Sequence, residues 1–188
     1  MDKTKFGTYH LASNPNNYEV ARDNDFTFVV TGIDNILKAG YDETDENAFT
    51  VNAQNNLEYS VVSASIPNFT QEALTINRGN STIKFAGKPT FGNGTLVVND
   101  FVGIDTKSYL MAWQRLSYDV VTDTVGKAAD YKKTCYLMEY DVSYNLVRTW
   151  KLVGCWISAI SENEYTTESS GKKTISATIE YDRAYVEF

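Results

Sequence analysis

Histidine occurs once in this chain of 188 residues, cysteine twice and proline three times. Each scarcity closes off a class of function. His10 has no cysteine near it in sequence, so neither a zinc site nor a Ser-His-Asp triad assembles around it, and it reads as a surface histidine. No apolar run reaches the ~18 residues of a membrane-spanning helix. Residues Met1 to His10 contain no apolar core of the signal-peptide kind, so a protein made and kept in a cytoplasm is expected. A phosphate-cradling loop of the GxxxxGK type is missing. Excess positive charge is missing as well. The net charge is −7 and the pI near 4.7, and such a surface repels nucleic-acid phosphates. Repulsion has a use, because a polymer slides along an acidic or neutral wall without sticking.

What is present favours strands. Hydrophobic residues make up 43 % of the chain, enough for a core, and tyrosine alone contributes 13. The length suits a single domain, residues 1–188. Tyr136, Met138, Tyr140, Val142 and Tyr144 alternate with Glu139, Asp141 and Ser143, Leu137 being the apolar exception. Residues two apart share a strand face, so the tyrosine-bearing face is expected to pack and the acidic face to be wet. Asn145 breaks the run, and a second strand follows from Val147 to Ile160. A third spans Thr174 to Asp182, with Ile175, Ala177, Ile179 and Tyr181 on one face.

Earlier in the chain, residues 1–24 read as a polar N-terminal arm. Phe26 to Val30 reads as a strand, and Ile33, Ile36 and Leu37 as a helical turn ended by Gly40. Residues 40–56 read as an acidic contact loop carrying Asp42, Glu43, Asp45 and Glu46. Leu57 to Ile66 reads as a strand, Leu74 to Asn77 as a short extended piece, and Gly92-Asn93-Gly94 as a hairpin turn joining Phe91 to Thr95. One helix is expected from about Asp105 to Ser117, capped by Asp105 or Thr106, with Tyr109, Ala112, Trp113 and Leu116 as its apolar stripe. The order of strands, one helix, then strands favours a mainly β chain, an antiparallel sandwich or barrel with one flanking helix.

Chemistry is thin on the ground. Glu139 and Asp141 could hold their carboxyls ~7 Å apart, inside the window of an inverting glycosidase, yet any exposed strand with two acids gives that spacing. The acidic stretch from Asp42 to Glu46 lacks the spacing of a calcium loop. Trp113, Trp150 and Leu152 read as core, while Trp156 could stack a sugar. Cys135 and Cys155 face each other if the hairpin centres on Asn145, and a slip of one residue puts them on opposite faces. Two buried thiols are the plainer reading. No catalytic set, metal site or cofactor site is expected, so the chain is not expected to be an enzyme.

Taken in order, these pieces resemble the bacteriophage tail tube protein family, in particular its contractile-tail branch, which is related to secretion-system tube proteins. The carrying residues are Arg22-Asp-Asn-Asp-Phe26 with Phe28-Val-Val30, then Ser65-Ile66-Pro67, Gly79, Phe85-Ala-Gly-Lys-Pro-Thr-Phe91 and Leu96, Val98 and Asp100. They continue with Leu110 and Trp113, Tyr140-Asp141, Val147 to Leu152, Gly154 to Ile160 and Thr174 to Asp182. The resemblance implies a structural protomer of a virion tail, assembled in the cytoplasm of a host bacterium. Six copies would form a ring and rings would stack into a tube. Its channel would pass DNA without binding it specifically, and would hold a tape-measure protein during assembly. Sheath, baseplate and tail terminator proteins would be partners, and a membrane would not. Glu139, Asp141 and Glu180 are candidates for the lumen, and Asp42, Glu43, Asp45 and Glu46 for contacts between subunits. Two alternatives stand beside this: a tube subunit of an injection or secretion system carrying effectors, and a carbohydrate-binding β-sandwich.

Overall fold

The structure is a computed structural model that describes residues 21–33, 53–103, 105–167 and 170–187. The helical turn expected at Ile36 and Leu37, most of the N-terminal arm, and Asp42, Glu43, Asp45 and Glu46 lie outside the described residues.

Eleven strands and three helices are described. In chain order they are β1 (Phe26–Val30), α1 (Ala53–Ser60), β2 (Val61–Ala64), β3 (Phe69–Arg78), β4 (Ser81–Phe91), β5 (Gly94–Asn99), α2 (Thr106–Ser117), β6 (Tyr118–Asp119), β7 (Thr124–Val125), α3 (Ala128–Tyr131), β8 (Lys133–Tyr140), β9 (Leu146–Glu162), β10 (Thr174–Glu180) and β11 (Arg183–Glu187). Every pairing among them is antiparallel. The main sheet runs β1-β8-β9-β10-β5-β2, with β11 added beside β9. This is the mainly β, antiparallel architecture that the strand-helix-strand order implies.

β9 is the spine. Its first half pairs with β8 and β11, and its second half with β10. The change of partner falls at Gly154, which has φ 74° and lies under the Asp182 carboxylate. A side chain there would collide with Asp182, and positive φ is glycine's territory. Such irregularities let one strand turn a corner and serve two sheets.

The core gathers the inward residues of these sheets beneath α2. Leu96, Val98, Leu110, Trp113, Ile175 and Ala177 are fully buried. α2 begins where Asp105 caps it, accepting a hydrogen bond from the Ser108 N–H, and Trp113 donates its indole N–H to the Tyr131 carbonyl at 2.8 Å. Thr106 and Ser60 are buried polar groups that satisfy each other through a 2.9 Å hydroxyl contact.

Three expectations are corrected. Residues 53–60 form helix α1 and not a loop followed by a strand, so strand structure begins only at Val61. Leu57 drives this, since it is buried and one helical turn brings Ser60 back to the Asn56 carbonyl. Gly92-Asn93-Gly94 is not a hairpin turn. β4 pairs with β3 whereas β5 pairs with β2 and β10, so the chain leaves one sheet and enters another at that corner. Asn93 accordingly keeps a negative φ.

The third correction concerns β8. Cys135 and Leu137 are its buried residues, and Tyr136 and Met138 lie on the opposite, half-exposed face. The neighbouring β1 decides this: Val30 pairs with Cys135 and Phe28 with Leu137, and all four belong to the core. Tyr136 meets a cation instead, the Lys151 ammonium, 5.5 Å from its ring centre. The hairpin loop covers Asp141 to Asn145 with Tyr144 at φ 60°, so its centre is not at Asn145. In that register Cys135 opposes Leu152, and Cys155 opposes Lys133. Both cysteines are free, buried thiols, and burial pushes the Cys135 thiol well up.

Candidate functional site

The hairpin β3–β4 departs from the rest of the molecule. It forms a two-stranded sheet of its own, with ten and eleven residues per strand, and every residue of β3 is exposed. The turn is a two-residue loop, since Arg78 pairs with Ser81, and Gly79 takes φ 63° there. Leu74 pairs with Phe85 and Ile76 with Ile83. Those four share one face, because they stand two apart along each strand and opposite one another across the pair. They remain 60 %, 51 %, 50 % and 42 % exposed respectively. The other face is polar, with Thr75 opposite Lys84 and Asn77 opposite Thr82. Among the described residues the hairpin is anchored at its base, where Phe69 packs on Phe91 and Phe91 on Tyr181.

A lone two-stranded hairpin is at best marginally stable in water, and an apolar face of this kind gains from being covered. The sequence shows the alternation at Ile83 and Phe85. It carries no sign that the face is left bare, because the exposure depends on where the rest of the chain goes.

A second feature is a cleft of about 670 Å³ between the two end strands of the main sheet. β1 pairs only with β8 and β2 only with β5 among the described strands. Phe26, Val62, Ala64 and Leu137 give the cleft an apolar lining, and Ile66 at its margin is 63 % exposed. Asp23, Asp25, Glu139 and Asp141 stand around it, against one cation, Arg22.

The candidate residues fall in different places. Glu139 is on the core-facing side of β8 at the end of the sheet, not on a wet face. Its carboxylate accepts from the Trp150 indole at 2.9 Å and pairs with Arg148 at 3.1 Å. Asp141 is not on a strand. It organises the hairpin loop, accepting from the Ser143 and Asn145 backbone N–H groups and the Asn145 amide, and the Asn145 amide foremost holds its carboxyl below the ordinary range. A strand-face pair of carboxylates is therefore not formed by these two residues. Glu180 lies on the outward face of β10, half-exposed, with Ser158 at 3.4 Å. Trp113 and Leu152 are buried; Trp150 is partly buried and packs on the core. Trp156 is half-buried, edge-on to Tyr131 at 6.0 Å. Among the described residues no cluster of three His, Cys, Asp or Glu side chains could hold a metal ion.

The family model described as T4-like virus tail tube protein gp19 matches residues 45–184. Solved structures of the same fold include a chain of the sheath-tube complex of the extracellular contractile injection system PVC in its extended state. It has a TM-score of 0.60 at 14 % identity, covering 100 % of this chain and 98 % of that one. A chain of the PVC sheath/tube terminator also has a TM-score of 0.60, at 16 % identity, covering 91 % and 98 %. The tube-terminating cap of the anti-feeding prophage has 0.59 at 13 % identity, covering 90 % and 91 %. No curated protein matches the sequence.

Proposed function

The chain belongs to the T4-like virus tail tube protein family, and from that premise we propose that it works by assembly, as the repeating subunit of a stacked hexameric tube with a central channel. The observation that carries the self-assembly is the apolar face of β3–β4, formed by Leu74, Ile76, Ile83 and Phe85 and left uncovered among the described residues. A head-to-tail contact whose rotation closes gives a ring, and stacking extends it along the axis. Ring closure also removes open sheet edges, which the described strands leave at β1, β2 and β11.

The outward face of β5 and β10 is the best lining for the bore. It presents Thr95, Val97, Asn99, Thr174, Ser176, Thr178 and Glu180, mostly uncharged polar groups with one acid. Such a surface, on a chain of net charge −7, would let DNA pass without adhering. Glu180 is retained as a lumen residue on this reading, and Glu139 and Asp141 are given structural roles. A tape-measure protein would occupy the bore during assembly, with sheath, baseplate and terminator proteins outside and at the ends. The work is structural and needs no catalytic group or cofactor. The fold shared with injection-system tube chains supports a second reading, in which the same tube carries effector proteins.

Electron microscopy of the purified chain tests the proposal. Rings or tubes with an axial hole are expected; a monodisperse monomer at high concentration sinks it. The contents of particles isolated from producing cells, DNA or protein, separate the two cargoes.

A further inference from the structure

Cys135 and Cys155 are 0 % exposed, belong to one core and lie on neighbouring strands, β8 and β9. Leu152 and Cys155 stand an odd number of residues apart, so a regular strand would set them on opposite faces. The register shifts at this point: Leu152 to Cys155 on β9 answers Cys135 to Lys133 on β8. The extra residue on β9, beside Gly154 at φ 74°, returns Cys155 to the inner face next to Cys135. The two thiols are hydrogen-bonding neighbours there. Assembly as described above makes no use of them.

We propose that Cys135 and Cys155 are a latent disulfide, closed when the chain meets an oxidising small disulfide. The inference goes beyond the tube reading and does not depend on it. One protein thiol loses its proton, and its sulfur attacks the small disulfide, releasing a thiolate and leaving a mixed disulfide. The other protein thiol, deprotonated in turn, attacks the protein-bound sulfur and releases the second small thiolate. The two protein thiols are oxidised, the small disulfide is reduced to two thiols, and these take up the two protons. A disulfide needs its Cβ atoms about 3.5–4.5 Å apart, nearer than diagonal strand neighbours ordinarily stand. The bulge at Gly154, where no Cβ stiffens the backbone, supplies that adjustment. Burial keeps the Cys135 thiol protonated, so exchange waits on a local opening of β8 from β9. The bond closes the β8–β9 hairpin into a loop and fixes the corner at which β9 changes partner. A chain folded with free thiols in a reducing compartment is thereby stapled on release into an oxidising one.

The test holds the folded full-length chain in oxidised glutathione and compares it with the same chain in reduced glutathione. Loss of both free thiols is expected, with a peptide link joining Cys135 to Cys155 inside one copy. The melting midpoint should rise by about 5 °C or more, and a reductant should reverse every change. The chain in urea, with its thiols open to the reagent, serves as the control. Thiols that survive in the folded chain while those in urea are consumed overturn the proposal. So do glutathione adducts without the internal link, links between copies, or a midpoint that falls on oxidation. Cys155→Ala is expected to remove the link and the rise together, and a rise that persists in that variant also overturns it. None of these measurements involves ring or tube formation, so failure here leaves the tube reading standing, and failure of that reading leaves this one.

Discussion

β10 and the β3–β4 hairpin carry the same kind of alternation and meet opposite fates. In β10, Ile175, Ala177 and Ile179 are 0 %, 0 % and 3 % exposed, because β5 and β9 flank the strand and α2 lies over the sheet. In the hairpin, Ile76, Ile83 and Phe85 leave about half their surface in water. Apolar periodicity thus marks which face is to be covered and not which molecule covers it. One region holds the chain together; the other leaves its apolar face exposed among the described residues, and a lone two-stranded hairpin of that kind is marginal in water.

Substitutions separate the two regions by their effect on folding free energy. The largest loss is expected from Trp113→Ala, which empties the centre of the body and removes the hydrogen bond to Tyr131, at about 3–5 kcal/mol in urea unfolding. A loss below about 1 kcal/mol would mean that the body does not depend on this side chain. Gly87→Ala comes next. Its new methyl would strike the Glu72 carbonyl at the irregularity between Gln71 and Ala73, for about 1–3 kcal/mol confined to the hairpin. Hydrogen exchange should quicken in β3 and β4 and stay unchanged in β10; equal quickening in both would erase the distinction between arm and body.

Asp105→Ala should cost about 1 kcal/mol through loss of the cap of α2. Asp105→Gly should cost less, since Asp105 has φ 50° and glycine adopts that freely. Smaller still for folding is Ile76→Ser with Phe85→Ser. Each exposed change is expected within about 0.5 kcal/mol, while tube formation is abolished. A large drop in monomer stability would show that the hairpin face is already in use within one copy.

The mildest test is acid. Asp141, held by the Asn145 amide, and Glu162, held by Lys107 and then Lys173, ionise more readily in the folded chain than in the unfolded one. The unfolded chain therefore takes up protons first as pH falls. Their contribution is intact above the ordinary values of 3.8 and 4.5 and is lost as pH drops through the lowered folded values. Both groups are half-exposed and screened by solvent, so a small decline in unfolding midpoint below about pH 4.5 is expected, with none between pH 6 and 8. Asp141→Asn and Glu162→Gln should flatten it.

The sequence by itself determined β1, α2 with its buried Trp113, and both faces of β10. In each, the local period, the cap or the alternation agrees with the burial that follows. Only the tertiary structure decided the rest. Leu137 or Tyr136 could each have turned inward, and β1 chose by placing Phe28 and Val30 against Leu137 and Cys135. The Gly92-Asn93-Gly94 corner was open to a hairpin until β5 found β10. The bareness of Leu74, Ile76, Ile83 and Phe85 was written nowhere in their order, because exposure is set by whichever distant strands arrive, and none of the described ones comes to that face.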